Sequence, residues 1–128
     1  MPEWSIKIVP VDPNKPGGSA QFEPQNAPVG QPQATWDGDT VTWNNTTDTA
    51  HQPWPTDANY KPLPVTPGTI DYMSDDIPAR QGSRPTYSVN LPKSNPPPQL
   101  PYIVYYHCKD HPDDPHERGR ISIVPPPT

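Results

Sequence analysis

The sequence predicts an antiparallel β-sandwich of about seven short strands. Three observations support this fold class. Apolar and polar residues alternate in several short segments rich in Val, Ile, Tyr and Trp. Proline and glycine, with 24 and 7 of the 128 residues, separate these segments. No heptad or internal repeat is present, and the long central segment has no helical periodicity.

The predicted strands follow one another with turn-forming residues between them. An Asp-Gly pair at Asp37 and Gly38 predicts a tight turn between the third and fourth strands. Residues 46–83 are predicted to be one long loop, and loops of that length are usually functional or disordered. The predicted strands are residues 4–9, 20–24, 33–36, 40–45, 85–91, 102–106 and 120–124.

The composition is compatible with one small domain. Only 30% of the residues are hydrophobic, which approaches the composition of a disordered chain. Four Trp and six Tyr nevertheless offer large areas for burial, and Trp36, Trp43 and Tyr106 are expected in the core or in the wall of a site. We therefore expect residues 1–128 to form a single domain with a modest β core and long proline-rich loops.

The charge of the chain restricts its partners. A net charge of -5 and a pI of about 5.1 argue against nucleic acid or an anionic membrane as the main partner, and favour a partner protein with a basic docking surface. No apolar run approaches the roughly 20 residues of a membrane span. The first residues have neither the charged nor the apolar region of a signal peptide.

The chemistry concentrates between the last two predicted strands. Residues 106–121 contain the only cysteine and three of the four histidines. A cysteine at a strand end, a histidine three residues later and a further donor five residues after that allow one loop to supply three metal ligands. Thiolate and imidazole ligands favour copper, and two His with one Cys are typical of electron-transfer copper sites. Zinc is the alternative metal. The predicted ligands are His51, Cys108, His111 and His116.

Two segments resemble the cupredoxins. They are Asp-Thr-Val-Thr-Trp-Asn-Asn at positions 39–45, followed by His51, and the loop Tyr-Tyr-His-Cys-x2-His-x4-His-x2-Gly-x-Ile that begins at Tyr105. The resemblance implies a Greek-key β-sandwich with one copper ion near one end, and one-electron transfer through a type 1 copper site. It assigns His51 as the upstream histidine, Cys108 as the thiolate and His111 as the downstream histidine. It also implies a periplasmic or otherwise extracytoplasmic protein, whose leader is absent from this chain.

One position departs from the plastocyanin-like pattern. His116 lies where the axial methionine is expected, and the loop resembles that of nitrosocyanin, a red copper protein in which a second loop histidine binds the metal. That relative has a glutamate upstream, where this chain has His51. The next glycine, Gly119, follows His116 by three residues instead of two, so that the loop has one extra residue and Glu117 is an alternative donor. A ligand harder than methionine predicts a lower reduction potential and a red, green or yellow colour.

Three functional classes follow from these observations. The first is a non-enzymatic electron carrier with a shielded copper ion. The second is a nitrosocyanin-like red copper protein with an open position for a small ligand or for redox catalysis. The third is a copper-binding or storage module. His107 precedes Cys108 in a strand, so that its side chain is expected on the opposite face, at the surface.

Overall fold

A computed structural model of the chain describes residues 3–15, 18–23, 37–69, 71–82, 87–90, 96, 99 and 102–123. These residues form seven strands and, within the described ranges, no helix. None of the described segments is therefore a helix that could cross a membrane. The strands are β1 Glu3–Pro10, β2 Ala20–Glu23, β3 Asp37–Asn45, β4 Pro53–Thr56, β5 Tyr87–Asn90, β6 Tyr102–Cys108 and β7 Arg118–Ile123.

The strands form two sheets, which confirms the all-β sandwich. One sheet has the order β2-β1-β3-β5 and the other has the order β4-β6-β7. The pairing of β1 with β3 is parallel, with Ile6 opposite Trp43, whereas the other pairs are antiparallel. The first sheet is therefore mixed, where the sequence predicts antiparallel strands throughout.

Strand β4 corrects the prediction that residues 46–83 are all loop. It contains Pro53 and Pro55, which cannot donate to a neighbouring strand. Prolines are tolerated in an edge strand, and β4 is at the edge of its sheet. The carbonyl of Pro55 accepts a hydrogen bond from Leu63 N at 3.0 Å, on the side away from β6. A proline-containing edge strand therefore forms where the sequence pattern indicates only a loop.

The prediction of a tight turn at Asp37 and Gly38 was wrong. Both residues belong to β3, and the register of β3 against β5 shifts between Asp37 and Thr40. The one extra residue of β3 is accommodated by an irregularity of the strand, as in a β-bulge. Residues 33–36, which include the predicted third strand and Trp36, lie outside the described residues.

The core lies between the two sheets, and aromatic rings occupy its centre. The ring of Trp43 contacts that of Tyr106 edge to face, with centroids 5.6 Å apart, and Phe22 contacts Tyr106 at 4.7 Å. A Cβ atom at Gly119 would lie 2.5 Å from the Tyr106 hydroxyl oxygen, so that glycine is required for this packing. The buried apolar residues include Ile6, Ile8, Val41, Tyr87, Val89, Ile121 and Ile123.

The sheet register brings two loops to the same end of the sandwich. Pro53 at the start of β4 pairs with Cys108 at the end of β6. Residues 46–52 lead into β4, and residues 109–117 connect β6 to β7. The two segments that contain the predicted ligands are therefore neighbours, although they are far apart in the sequence.

Candidate metal centre

Cys108 ends β6 with its side chain in the core. The residue is fully buried, and Sγ accepts a hydrogen bond from the backbone N–H of Gln52 at 3.4 Å. Its own N–H donates to the carbonyl of Glu117 at 3.0 Å. Burial raises the pKa of the Cys108 thiol to about 12. A bound cation is therefore needed to hold the thiolate at neutral pH.

His51 is also fully buried and is fixed by its backbone. Its N–H donates to the carbonyl of Ile77 at 3.1 Å, and its carbonyl accepts from Ile77 N at 2.8 Å. The ring directs Nδ1 toward Cys108 Sγ, at 3.5 Å, and Nε2 toward Thr49 Oγ1, at 3.0 Å. One ring nitrogen thus faces the thiol and the other is held by a hydroxyl.

His111 approaches from the loop between β6 and β7. Its N–H donates to the carbonyl of Cys108 at 3.2 Å, which forms a tight turn after the cysteine. Its Nδ1 lies 3.6 Å from Cys108 Sγ, and its ring centroid lies 5.2 Å from that of His51. The His111 side chain is 43% exposed, so that this edge of the group faces solvent.

Glu117 completes the group with a buried carboxylate. The residue is 2% exposed, and its Oε1 lies 2.7 Å from His51 Nδ1 and 3.1 Å from His111 Nδ1. The donor atoms of these two histidines, Cys108 and Glu117 all lie within 4.8 Å of one another. One thiol, two imidazoles and one carboxylate therefore converge on one point.

The spacing between the Cys108 sulfur and the two histidine nitrogens fits a single metal ion, whereas the Glu117 oxygen lies at hydrogen-bond distance from both nitrogens, 2.7 and 3.1 Å. Metal bonds of about 2.0–2.3 Å around a tetrahedral ion separate its ligand atoms by roughly 3.3–3.8 Å. The two separations between Cys108 Sγ and the histidine nitrogens, 3.5 and 3.6 Å, lie in this range. A soft thiolate with two imidazoles suits copper, and the same donors also suit zinc.

The structure does not bring His116 into this group. Its side chain is 55% exposed, and its ring Nδ1 lies 3.2 Å from Asp114 Oδ1. The same carboxylate accepts from His116 N at 2.9 Å, and Glu117 N donates to the carbonyl of Asp114 at 3.1 Å. This turn directs His116 outward and Glu117 inward.

The sequence contains a signal for Glu117. Glu117 lies two residues before Gly119, which is the interval expected between the axial donor and the glycine. Counting forward from His111 leads to His116, because that count includes the extra loop residue. Counting back from Gly119 leads to Glu117, because the close packing of Tyr106 against Gly119 fixes that end of the loop.

His107 is not at the surface, so that the prediction of an exposed residue was wrong. It lies on the face of β6 opposite to Cys108 and is 1% exposed. Its cross-strand neighbours are Trp54 in β4 and Arg118 in β7. Neither ring nitrogen has a hydrogen-bond partner among the described residues. Burial, and then the charge of Arg118, lower the pKa of His107.

Three exposed acidic residues belong to the segments that contribute to the group. Asp76, Asp110 and Asp113 are exposed, and we refer to these three residues as the acidic rim. A hydrogen bond with Asp110 raises the pKa of Asp76 to about 6. Such crowding of carboxyl groups produces a negative potential beside His111.

Asn45 connects the segments around His51. It is fully buried at the end of β3. Its Nδ2 donates to the carbonyls of Thr49 at 2.7 Å and Ile77 at 3.1 Å. Asn45 therefore joins the segment that contains His51 to the segment that pairs with it.

Comparisons with known proteins identify the architecture. Neither a protein-family model nor a curated protein matches the chain. Among solved structures, a purple cupredoxin from Nitrosopumilus maritimus superposes with a TM-score of 0.59 at 17% identity, over 94% of this chain and 99% of that one. A multicopper oxidase superposes with a TM-score of 0.51 at 15% identity, over 95% of this chain and 41% of that one.

The likeness to nitrosocyanin concerns the loop alone and stays a prediction.

Both superpositions cover nearly the whole of this chain, although the chain spans only about two fifths of the oxidase. With its two sheets and its structural neighbours, the chain has a cupredoxin-like fold.

Proposed function

We propose that the chain is a mononuclear copper protein that transfers single electrons. The proposed ligands are Cys108, His51, His111 and Glu117. The observation that carries this proposal is the convergence of these four donors within 4.8 Å at one end of the sandwich. The similarity of the fold to that of a purple cupredoxin supports the choice of copper over zinc.

The residues of the chain suit one-electron chemistry. Copper bound by one thiolate and two imidazoles supplies a Cu(I)/Cu(II) couple. The backbone hydrogen bonds between His51 and Ile77, and between His111 and Cys108, hold the proposed ligands in place through the fold itself, without a metal ion. The carboxylate of Glu117 is harder than a thioether, so that it stabilises Cu(II) and lowers the reduction potential.

The proposed route to a partner is the half-exposed ring of His111. The other three proposed ligands are buried, so that this ring is their closest approach to solvent. The acidic rim beside it favours a redox partner with a basic docking surface. In this proposal the chain acts as a single extracytoplasmic domain and as a carrier, not as an enzyme.

The exposure of His111 also supports a second candidate function. A site open on one side can accept a small exogenous ligand, as in a nitrosocyanin-like protein. Azide or nitric oxide added to the oxidised protein separates the two functions. A shift of the copper spectrum favours the open site, whereas an unchanged spectrum favours the carrier.

Metal analysis with visible and EPR spectra of the purified protein tests the proposal. We expect one copper per chain and a thiolate-to-copper absorption that is absent from Cys108→Ser. A Cys108→Ser variant with the parent spectrum and affinity would contradict the proposal. Stoichiometric zinc with no affinity for copper would favour a structural site, and copper without reversible reduction would favour a storage module.

A further inference from the structure

Alternate residues of the segment before His51 form one hydrogen-bonded series, in which Thr49 takes part through both its carbonyl and its hydroxyl. Asn45 and Thr47 are buried, and Thr49 is half-buried. Thr47 Oγ1 donates to Asn45 Oδ1 at 2.6 Å, and the Thr49 carbonyl accepts from Asn45 Nδ2 at 2.7 Å. The series ends at the contact of 3.0 Å between Thr49 Oγ1 and His51 Nε2. It therefore extends from the end of β3 to a proposed ligand.

The two nitrogens of the His51 ring have different surroundings. Nδ1 faces Cys108 Sγ and Glu117 Oε1, whereas Nε2 faces the Thr49 hydroxyl. A ligating imidazole needs an unprotonated nitrogen toward the metal and carries its proton on the other nitrogen. A hydroxyl that accepts this proton selects the tautomer and orients the ring.

We propose that Thr49 is a positioning residue for the metal centre. Its hydroxyl accepts the Nε2 proton of His51, which leaves the lone pair of Nδ1 directed into the group of donors. This inference rests on the proposed function, because it assumes that His51 binds the metal. It adds a residue that is outside the ligand set and that no cupredoxin-like motif in the sequence identifies.

The backbone holds Thr49 firmly enough for this role. Its carbonyl accepts a hydrogen bond from Asn45 Nδ2 at 2.7 Å, and the Thr47 hydroxyl, which donates its proton to Asn45 Oδ1, lies 3.0 Å from the same carbonyl. Asn45 also donates to the carbonyl of Ile77, the residue that pairs with the backbone of His51. The backbones of Thr49 and His51 are therefore attached to one network, which places the Thr49 hydroxyl within hydrogen-bond distance of the ring.

Three variants test the role of Thr49. Thr49→Val removes the hydroxyl with little change in shape, and Thr49→Ser keeps it. Thr46→Val is the matched control, because Thr46 Oγ1 donates to the carbonyl of Ile8 at 2.8 Å and lies outside the path to His51. Each protein is titrated with Cu²⁺ and Zn²⁺ in competition with a chelator. The His51 ring is then followed by ¹⁵N NMR in the diamagnetic zinc form.

We expect Thr49→Val to weaken the binding of both ions by about 10–100-fold, as for other partners of metal-bound histidines. Thr49→Ser and Thr46→Val should stay close to the wild type. In the zinc form, the Nε2 proton of His51 should exchange slowly in the wild type and in Thr49→Ser, and quickly in Thr49→Val.

Two negative results have different meanings. If Thr49→Val binds both ions like the wild type and keeps the slowly exchanging Nε2 proton, the role of Thr49 is refuted and the proposed function stands. If the wild type binds neither ion, the proposed function fails and this inference fails with it. An equal loss of affinity in Thr46→Val would assign the effect to the fold of the segment and would also refute the proposal.

Discussion

The carboxylate of Glu117 lies 2.7 Å from Nδ1 of His51, although the two residues are far apart in the sequence. Both residues are almost fully buried, and the same oxygen is 3.1 Å from Nδ1 of His111. A buried carboxylate is costly unless it is paired or binds a metal. Glu117 is therefore placed to hold the two histidine nitrogens together and to act as the fourth donor.

Replacement of this carboxylate should change the copper site. In Glu117→Gln, a neutral amide replaces an anionic donor, so that Cu(II) is stabilised less. We expect copper affinity to fall at least about tenfold and the reduction potential to rise. A chelator competition and a redox titration measure the two effects. A parent-like spectrum and potential in Glu117→Gln would remove Glu117 from the ligand set.

Removal of the His116 imidazole should leave the site unchanged. The side chain of His116 is 55% exposed and is hydrogen-bonded to Asp114. We expect His116→Ala to keep the visible and EPR spectra, with copper affinity within about twofold of the parent, because exposed side chains outside a site contribute little. A lost or altered copper spectrum in His116→Ala would instead support the ligand predicted from the sequence.

A methyl group at Gly119 should destabilise the fold. The added Cβ would overlap the Tyr106 ring, which is fully buried between Phe22 and Trp43. We expect Gly119→Ala to lower the free energy of unfolding by about 1–3 kcal/mol, as other overpacking substitutions do. Urea denaturation of the metal-free protein measures this difference.

Gly82→Ala is the matched control for this substitution. A Cβ atom at Gly82 would lie 3.8 Å from the Trp43 carbonyl oxygen, which is an ordinary contact. We expect its effect to be within about 0.5 kcal/mol. Equal losses in the two variants would show that the packing of Tyr106 against Gly119 is not the cause.

The buried ring of His107 should make the metal-free protein sensitive to acid. Its pKa is lowered in the folded state from the ordinary value of 6.5, so that below this pH the unfolded chain binds more protons at this position. The contribution of His107 to stability is therefore present above pH 6.5 and is lost as the pH falls through the folded pKa.

His107→Leu removes this contribution and the unpartnered ring nitrogens. Urea denaturation of both proteins at pH 7 and pH 5 should show a smaller loss of stability on acidification in His107→Leu. Leucine should be tolerated at pH 7, because the site is buried between Trp54 and Arg118. An identical pH dependence of the two proteins would mean that His107 does not titrate between these pH values.

Much of the architecture was predictable because its signals are local. Apolar and polar residues alternate in the segments that form β1, β5, β6 and β7, which indicates that one face of each strand is buried. This alternation predicted the sandwich. The placement of Trp43 and Tyr106 in the core was confirmed. Strand β4 escaped prediction because its prolines are acceptable only at a sheet edge, and the position of a strand within a sheet is not a local property.

The sequence by itself determined the thiol, the two imidazoles at His51 and His111 and the two segments that contain the site, because residue type and spacing are local features of the chain. Tertiary structure decided which loop side chains point inward. The hydrogen bonds that Asp114 makes with His116 and Glu117 direct the His116 side chain to solvent and the Glu117 side chain into the site. The packing of Gly119 against Tyr106 fixes the end of the loop. Such orientations depend on packing between distant strands, so that counting residues from His111 could not distinguish His116 from Glu117.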